Sequence, residues 1–290
     1  MTPLLEVSGL VKTYPARRNL FGMVRERTTV TDNVSFTLHR GETVGIVGES
    51  GAGKSTVGRL ALRLIEPDSG SVTFDEENVL SLSRTQLRSF RQRAQMIFQD
   101  PFSSLDPHMT IRDAVGEPLT IHRGLQGHDR DAAVVDLLER VGMRADQLDR
   151  YPREFSGGQL QRIAIARALT TEPDLIVCDE PVAALDVSIQ AQVLNLLVDL
   201  QRERGLSYLF ISHDLSLVRF LAHRVVVMRN GEIVETGTTE DIFTNPHHSY
   251  TRALLDAIPD PRARFLGDRT RSAARATAEL VGVSAKEPSC

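Results

Sequence analysis

The sequence predicts an α/β fold with a mostly parallel sheet, an N-terminal antiparallel β subdomain and an inserted α-helical subdomain. Three observations predict it. The runs at residues 95–98, 175–178 and 208–211 are short, apolar and separated by helical patterns, as strands covered on both faces of a parallel sheet are. Residues 4–14, 29–38 and 70–74 instead alternate apolar and polar side chains, the pattern of half-exposed antiparallel strands. From about 100 to 160 strand patterning is missing, and residues 131–141 carry helical spacing, so this stretch reads as the inserted helical subdomain.

Between the first two alternating segments lie residues 15–27, with Arg17, Arg18, Arg25 and Arg27 around Leu20, Phe21 and Met23; they read as an insertion or loop with a solvated basic surface. Residues 43–47 are a compact apolar run, and beyond Ser55 the side chains of Val57, Leu60, Ala61 and Leu64 share one helical face, which makes a strand, a loop and a helix. Ile189, Val193, Leu196, Leu197 and Leu200 mark a later helix, and Asn230-Gly231 between two apolar runs marks a hairpin. Residues 4–260 form one nucleotide-binding domain, since each motif occurs once. Residues 261–290 form a C-terminal extension rich in Arg, Ala, Ser and Glu, expected to be mobile beyond 268.

Composition narrows the function little. Of 290 residues, 41% are apolar and 25% charged, ordinary for a globular protein. A formal charge of -4 gives no basic face for phosphate backbones, so no nucleic-acid partner is expected. Cys178 and Cys290 are too few and too differently placed for a disulfide framework or zinc site, which suits a reducing cytosol. No secretory leader pattern opens the chain and no apolar run approaches the ~20 residues that span a bilayer. If the protein works at a membrane, another polypeptide crosses it.

Gly48-Glu49-Ser50-Gly51-Ala52-Gly53-Lys54-Ser55 fits the phosphate-loop pattern in its required setting, after a strand and opening a helix. Its glycines let backbone N–H groups face phosphates, Lys54 brings a positive charge to the β- and γ-phosphates, and the Ser55 hydroxyl can ligate Mg²⁺. The core is therefore that of a P-loop NTPase. Asp179-Glu180 ends an apolar strand at its carboxyl end, where open α/β sheets place ligands. Asp179 suits the Mg²⁺ shell, and Glu180 the water that attacks the γ-phosphate. Ser156-Gly157-Gly158-Gln159 opens a further helix with an N-cap serine and two glycines that leave its first N–H groups unshielded, a second anion site.

Taken together and in this order, these motifs resemble the ATP-binding subunits of ABC transporters. The resemblance implies further roles: Thr56 joins the phosphate site, Tyr14 stacks on adenine, Gln99 touches Mg²⁺ and senses the membrane subunit, and His213 contacts the γ-phosphate. It also implies that Ser156, Gly157, Gly158, Gln159 and Asp186 act in trans, closing over ATP held by a second ATPase subunit, identical or a sister. Phe98-Gln99-Asp100-Pro101-Phe102-Ser103-Ser104-Leu105-Asp106-Pro107 and Asn245-Pro246-His247-His248-Ser249-Tyr250-Thr251-Arg252-Ala253-Leu254-Leu255 resemble the oligopeptide and dipeptide importer branch. That branch implies two transmembrane permease subunits, indirectly a solute-binding protein, and a place at the cytoplasmic face of the inner membrane. The alternatives are the ATPase of another ABC transporter, for nickel, glutathione or export, or a soluble ABC ATPase. Leu160 departs from a frequently polar position, which bears on the dimer surface. His247-His248 reads as surface rather than a metal site.

Overall fold

The computed structural model describes residues 2–18 and 24–257. The chain opens with β1 (Leu5–Arg18), β2 (Val24–Leu38), β3 (Thr43–Val47), α1 (Lys54–Ala61), β4 (Ser69–Phe74) and β5 (Glu77–Asn78). The middle comprises α2 (Arg84–Arg93), β6 (Ala94–Ile97), α3 (Pro101–Ser104), α4 (Ile111–Arg123), α5 (Gly127–Arg140) and α6 (Gly157–Leu169). The last part holds β7 (Leu175–Asp179), α7 (Val187–Arg204), β8 (Ser207–Ser212), α8 (Leu215–Leu221), β9 (Arg224–Arg229), β10 (Glu232–Thr238), α9 (Thr239–Thr244) and α10 (Ser249–Asp256).

Two sheets result. An antiparallel sheet has the order β2-β1-β4-β5, and a six-stranded sheet has the order β10-β9-β3-β8-β7-β6. In the second, β9, β3, β8, β7 and β6 run parallel and only β10 is antiparallel. Every residue of β3, β7 and β8 is buried, because helices or the other sheet cover both faces. Period-two alternation divides these strands between two cores. Ile176, Cys178, Tyr208 and Phe210 point into the core shared with α4, α5 and α6. Leu175, Val177, Leu209 and Ile211 point into the core shared with the antiparallel sheet and α1.

The structure differs from the sequence expectation in two places. Residues 15–18 and 24–27 continue the β1–β2 ladder, with Pro15 opposite Arg27 and Arg18 opposite Val24, where a loop is expected. Pairing of β1 with β4 ends at Val11, so one edge of β1 is open there and Pro15 can sit in the strand despite lacking an N–H. The tip of that hairpin and the tail expected to be mobile beyond 268 lie outside the described residues. In the helical subdomain, α4 contains Pro118, which masks it in the sequence; Thr110 caps its start and Gly124, at φ 69°, its end. The Asn230-Gly231 hairpin forms as expected, with φ of 49° and 89°.

Candidate functional site

The carboxyl ends of β3, β8, β7 and β6 lie side by side, with Val47 beside Ser212, Asp179 beside Ile211 and Ile97 beside Cys178. The residues just beyond these strands therefore converge on one edge of the sheet. They are the phosphate loop, His213, Glu180 and Gln99. Together with Thr56, Val30 and Leu254 they line a cleft of about 650 Å³, except Ala52 of the loop, which is buried in the core beneath it.

The loop's shape depends on glycine at two points. Gly48, at φ 151°, lies against the Met228 carbonyl, and Gly53, at φ 95°, against the Val30 carbonyl; a Cβ at either would collide with that backbone. Gly53 opens α1 with no side-chain acceptor on its first N–H groups. Lys54 is 5% exposed, and its Nζ donates to the Gly48 and Glu49 carbonyls, each at 2.8 Å. Burial pulls its pKa below the ordinary lysine value, against the opposing pull of Glu180 and Asp179.

The acids behave differently from each other. Asp179 is 2% exposed and accepts a 2.6 Å hydrogen bond from Ser55 Oγ, with Arg59 Nη2 at 3.9 Å. Burial raises its pKa, while the Ser55 bond and Arg59 hold it down. Glu180, one residue beyond the strand, sits in the left-handed region at φ 47°, uncommon for a non-glycine residue. Its N–H donates to the Ile211 carbonyl at 2.9 Å. That turn aims the carboxylate across the strand ends, where Oε2 accepts from Gln99 Nε2 at 3.0 Å and lies 3.1 Å from His213 Nδ1. Gln99, Glu180 and His213 thus meet although they come from the ends of three different strands.

Not every expected residue joins them. Tyr14 is 39% exposed, with the Lys12 ammonium 5.6 Å from its ring centre, and is not among the residues lining the cleft. Ser156, Gly157, Gly158, Gln159 and Asp186 do not line it either. Ser156 and Asp186 are exposed and the two glycines half-buried, so this helix start faces outward. Ser156 Oγ accepts from Gln159 N–H at 3.4 Å, and Gln159 Oε1 accepts from Ser156 N–H at 3.0 Å, a capping box within the chain. Gly158 has a packing reason that the sequence does not show: a Cβ there would strike Ile189 Cγ2 on α7. Leu160 is fully buried in the core and presents nothing to a partner, contrary to the expectation that it bears on the dimer surface.

Four contributors escape sequence reasoning. Val30 and Leu254 line the cleft, Arg59 approaches Asp179, and the Tyr250 hydroxyl accepts from Glu49 N–H at 3.1 Å. Val30 carries no signal, being a single apolar residue. Arg59 lies four positions beyond Ser55 on α1, on the same helical face, so helical spacing could have found it, and Tyr250 and Leu254 belong to the importer-like segment 245–255.

A phosphate loop, an Asp-Glu strand end, a converging Gln and His, and an outward-facing Ser-Gly-Gly-Gln helix start define a nucleotide-binding cassette. The ABC transporter family model matches residues 31–183, and the chain belongs to that family. The oligopeptide/dipeptide transporter, C-terminal region, matches residues 234–282. The glutathione import ATP-binding protein GsiA of Escherichia coli (strain K12) is 51% identical over 257 residues, covering 89% of this chain and 41% of that protein. The GsiA of Salmonella paratyphi A shows the same identity and coverage. The chain thus spans about two fifths of the length of these relatives. Among solved structures, the ATP-binding cassette MJ0796, dimeric and bound to ADP and Pi in a post-hydrolysis state, is 30% identical. Its TM-score is 0.72, with 81% of this chain and 98% of that chain covered. The cbiO1 of Clostridium perfringens, part of the ABC transporter complex cbiONQ, is 26% identical with a TM-score of 0.73, covering 92% of this chain and all of that one.

Proposed function

We propose that this chain hydrolyses ATP to ADP and phosphate as the nucleotide-binding subunit of an ABC importer. The observation that carries this reading is the Glu180 carboxylate, turned by a strained backbone to meet both Gln99 and His213 beside the phosphate loop. Glu180 orients the attacking water and accepts its proton as the new bond to the γ-phosphorus forms and the bond to the bridging oxygen breaks, with ADP leaving. His213 contacts the γ-phosphate. Lys54 exchanges two backbone carbonyls for the β- and γ-phosphates, which return the charge compensation that burial removed.

Mg²⁺ suits the donors present. Ser55, Asp179 and, through its amide carbonyl, Gln99 offer oxygen ligands, and the short contact between the Ser55 hydroxyl and the buried Asp179 carboxylate sets two of them side by side. One carboxylate and a hydroxyl leave most of an octahedral shell to water and substrate phosphate, as this ion prefers. When bound, the ion neutralises charge on the phosphate oxygens. Tyr14, exposed on the hairpin whose other strand carries Val30, stacks on adenine.

The active unit is a pair of such chains, identical or sister, in which Ser156, Gly157, Gly158, Gln159 and Asp186 of one close over ATP held by the other. The outward aspect of that helix start and the dimeric form of MJ0796 support this arrangement. Two permease subunits span the membrane while this chain sits at its cytoplasmic face; the oligopeptide/dipeptide transporter match and the place of cbiO1 in the cbiONQ transporter complex support this. A solute-binding protein delivers the solute. The oligopeptide/dipeptide transporter match and the relatives named for glutathione import support short peptides, glutathione among them, as that solute.

The test is Glu180→Gln, which keeps the size and the contact with Gln99 but removes the base. ATP titration is expected to give unchanged affinity, while steady-state turnover falls about 10²- to 10⁴-fold. Turnover near the wild-type rate would falsify the role given to Glu180.

A further inference from the structure

One peptide group of the phosphate loop is held at both ends. The carbonyl of Gly48 accepts from Lys54 Nζ at 2.8 Å, and the N–H of the same peptide, on Glu49, donates to the Tyr250 hydroxyl at 3.1 Å. In a trans peptide these two bonds point in opposite directions, so together they set the rotation of the peptide plane. One anchor is temporary, since Lys54 leaves the carbonyl to meet phosphate. The other is fixed.

Tyr250 is itself fastened three ways. Its ring is 7% exposed and carries the Arg229 guanidinium 4.8 Å from its centre. Arg229 is next in sequence to Met228, whose carbonyl backs Gly48, so the ring and the loop rest on the same end of β9. The Tyr250 N–H donates to His248 Nδ1 at 3.1 Å, which caps α10. The His247 and His248 N–H groups in turn donate to the Glu235 carboxylate on β10 at 2.7 and 3.1 Å. Burial alone would raise the pKa of Glu235, and the hydrogen bonds it accepts hold it below the usual carboxylate range. A hydroxyl so held is a rigid post for a loop that must change partners.

We propose that Tyr250 is a positioning residue for the phosphate loop, its hydroxyl keeping the Gly48–Glu49 peptide oriented while Lys54 exchanges backbone carbonyls for nucleotide phosphates. This rests on reading the cleft as the ATP site. It also gives the C-terminal segment that begins at residue 234 a physical connection to the nucleotide, since Leu254, one helical turn beyond Tyr250, lines the same cleft.

Tyr250→Phe removes the hydroxyl and keeps the ring under Arg229. In the full chain, calorimetric titration with MgATP is expected to show about 3- to 10-fold weaker binding, the net worth of one hydrogen bond. Turnover at saturating ATP and the unfolding midpoint without nucleotide stay at wild-type values, because the bond acts on the loop's readiness and not on the fold. Tyr250→Ala, which also removes the ring, serves as the structural control and lowers the midpoint. Tyr250→Phe binding MgATP as tightly as wild type, or losing turnover and midpoint together, overturns the inference and leaves the cleft's assignment standing. A wild-type chain that binds no MgATP overturns that assignment and the inference with it.

Discussion

The starts of α1 and α6 are both glycine-containing helix N-termini, yet they are completed differently. At α1 the N-cap is Gly53, no side chain accepts from the first turn, and Lys54, Ser55 and the β7 carboxylate crowd the same space. At α6 the N-cap Ser156 and Gln159 satisfy each other, no acidic or basic side chain lies in the first turn, and the surface is open. An anion site whose charge and metal ligands come from its own chain binds by itself. One with only a dipole and a few N–H groups contributes about 0.3 to 2 kcal/mol per anion, too little to hold a nucleotide alone, and needs a ligand already fixed elsewhere. On the proposed function, the difference teaches that this chain carries one complete half-site and one complement to it.

After the turnover loss expected of Glu180→Gln, the comparison breaks most readily at Lys54. Lys54→Ala removes the only side-chain cation in the loop, and a hydrogen bond to a charged group is worth about 1.5–3 kcal/mol, so MgATP affinity is expected to fall roughly 10- to 150-fold. Equilibrium titration of the isolated chain reads this directly. Unchanged affinity would mean that α1 is no more self-sufficient than α6.

Gly158→Ala probes the other helix and carries two opposed terms. Helix propensity favours alanine by about 0.8–1 kcal/mol, whereas overpacking against the branched Ile189 side chain costs about 1–3 kcal/mol. The net expectation is a lower unfolding midpoint and, because α6 shifts on α7, reduced turnover with MgATP affinity of the isolated chain intact. A raised midpoint would show that the glycine is there for its bare N–H alone.

Legibility in the sequence tracks the range of the interactions. Residues 48–55 and 179–180 announce themselves because a phosphate loop and a strand-end carboxylate pair are local patterns with a chemical reason at each position. Most strands of both sheets are legible for the same reason, alternation and apolar runs being local, but the short β5 and the outer ends of β1 and β2, expected as a loop, are not. The contacts that close the loop from outside are not. Gly48 and Gly53 press on carbonyls of Met228 and Val30, and Tyr250 meets Glu49 across 201 residues of chain. Such contacts are fixed by how β2, β9 and α10 pack around β3, and no spacing rule reports them. Pro118 in α4 hides a helix by a local rule that the surrounding subdomain overrides, and Gly158 reads as an anion-site residue while also serving a helix crossing.

Ser156 gives the smallest effect and the sharpest separation, because it both caps its own helix and, in the proposed dimer, faces a partner's nucleotide. Ser156→Ala removes the cap and costs about 1 kcal/mol, read as a lower unfolding midpoint. Ser156→Asp restores a cap of equal quality, so the midpoint returns, but it sets a carboxylate where a triphosphate must dock. The two variants therefore part company. With Asp, stability recovers and MgATP binding to the isolated chain is untouched, while turnover of the assembled pair stays low because repulsion opposes closure. Recovery of turnover along with stability would reduce Ser156 to a cap and remove the complementary half-site from α6.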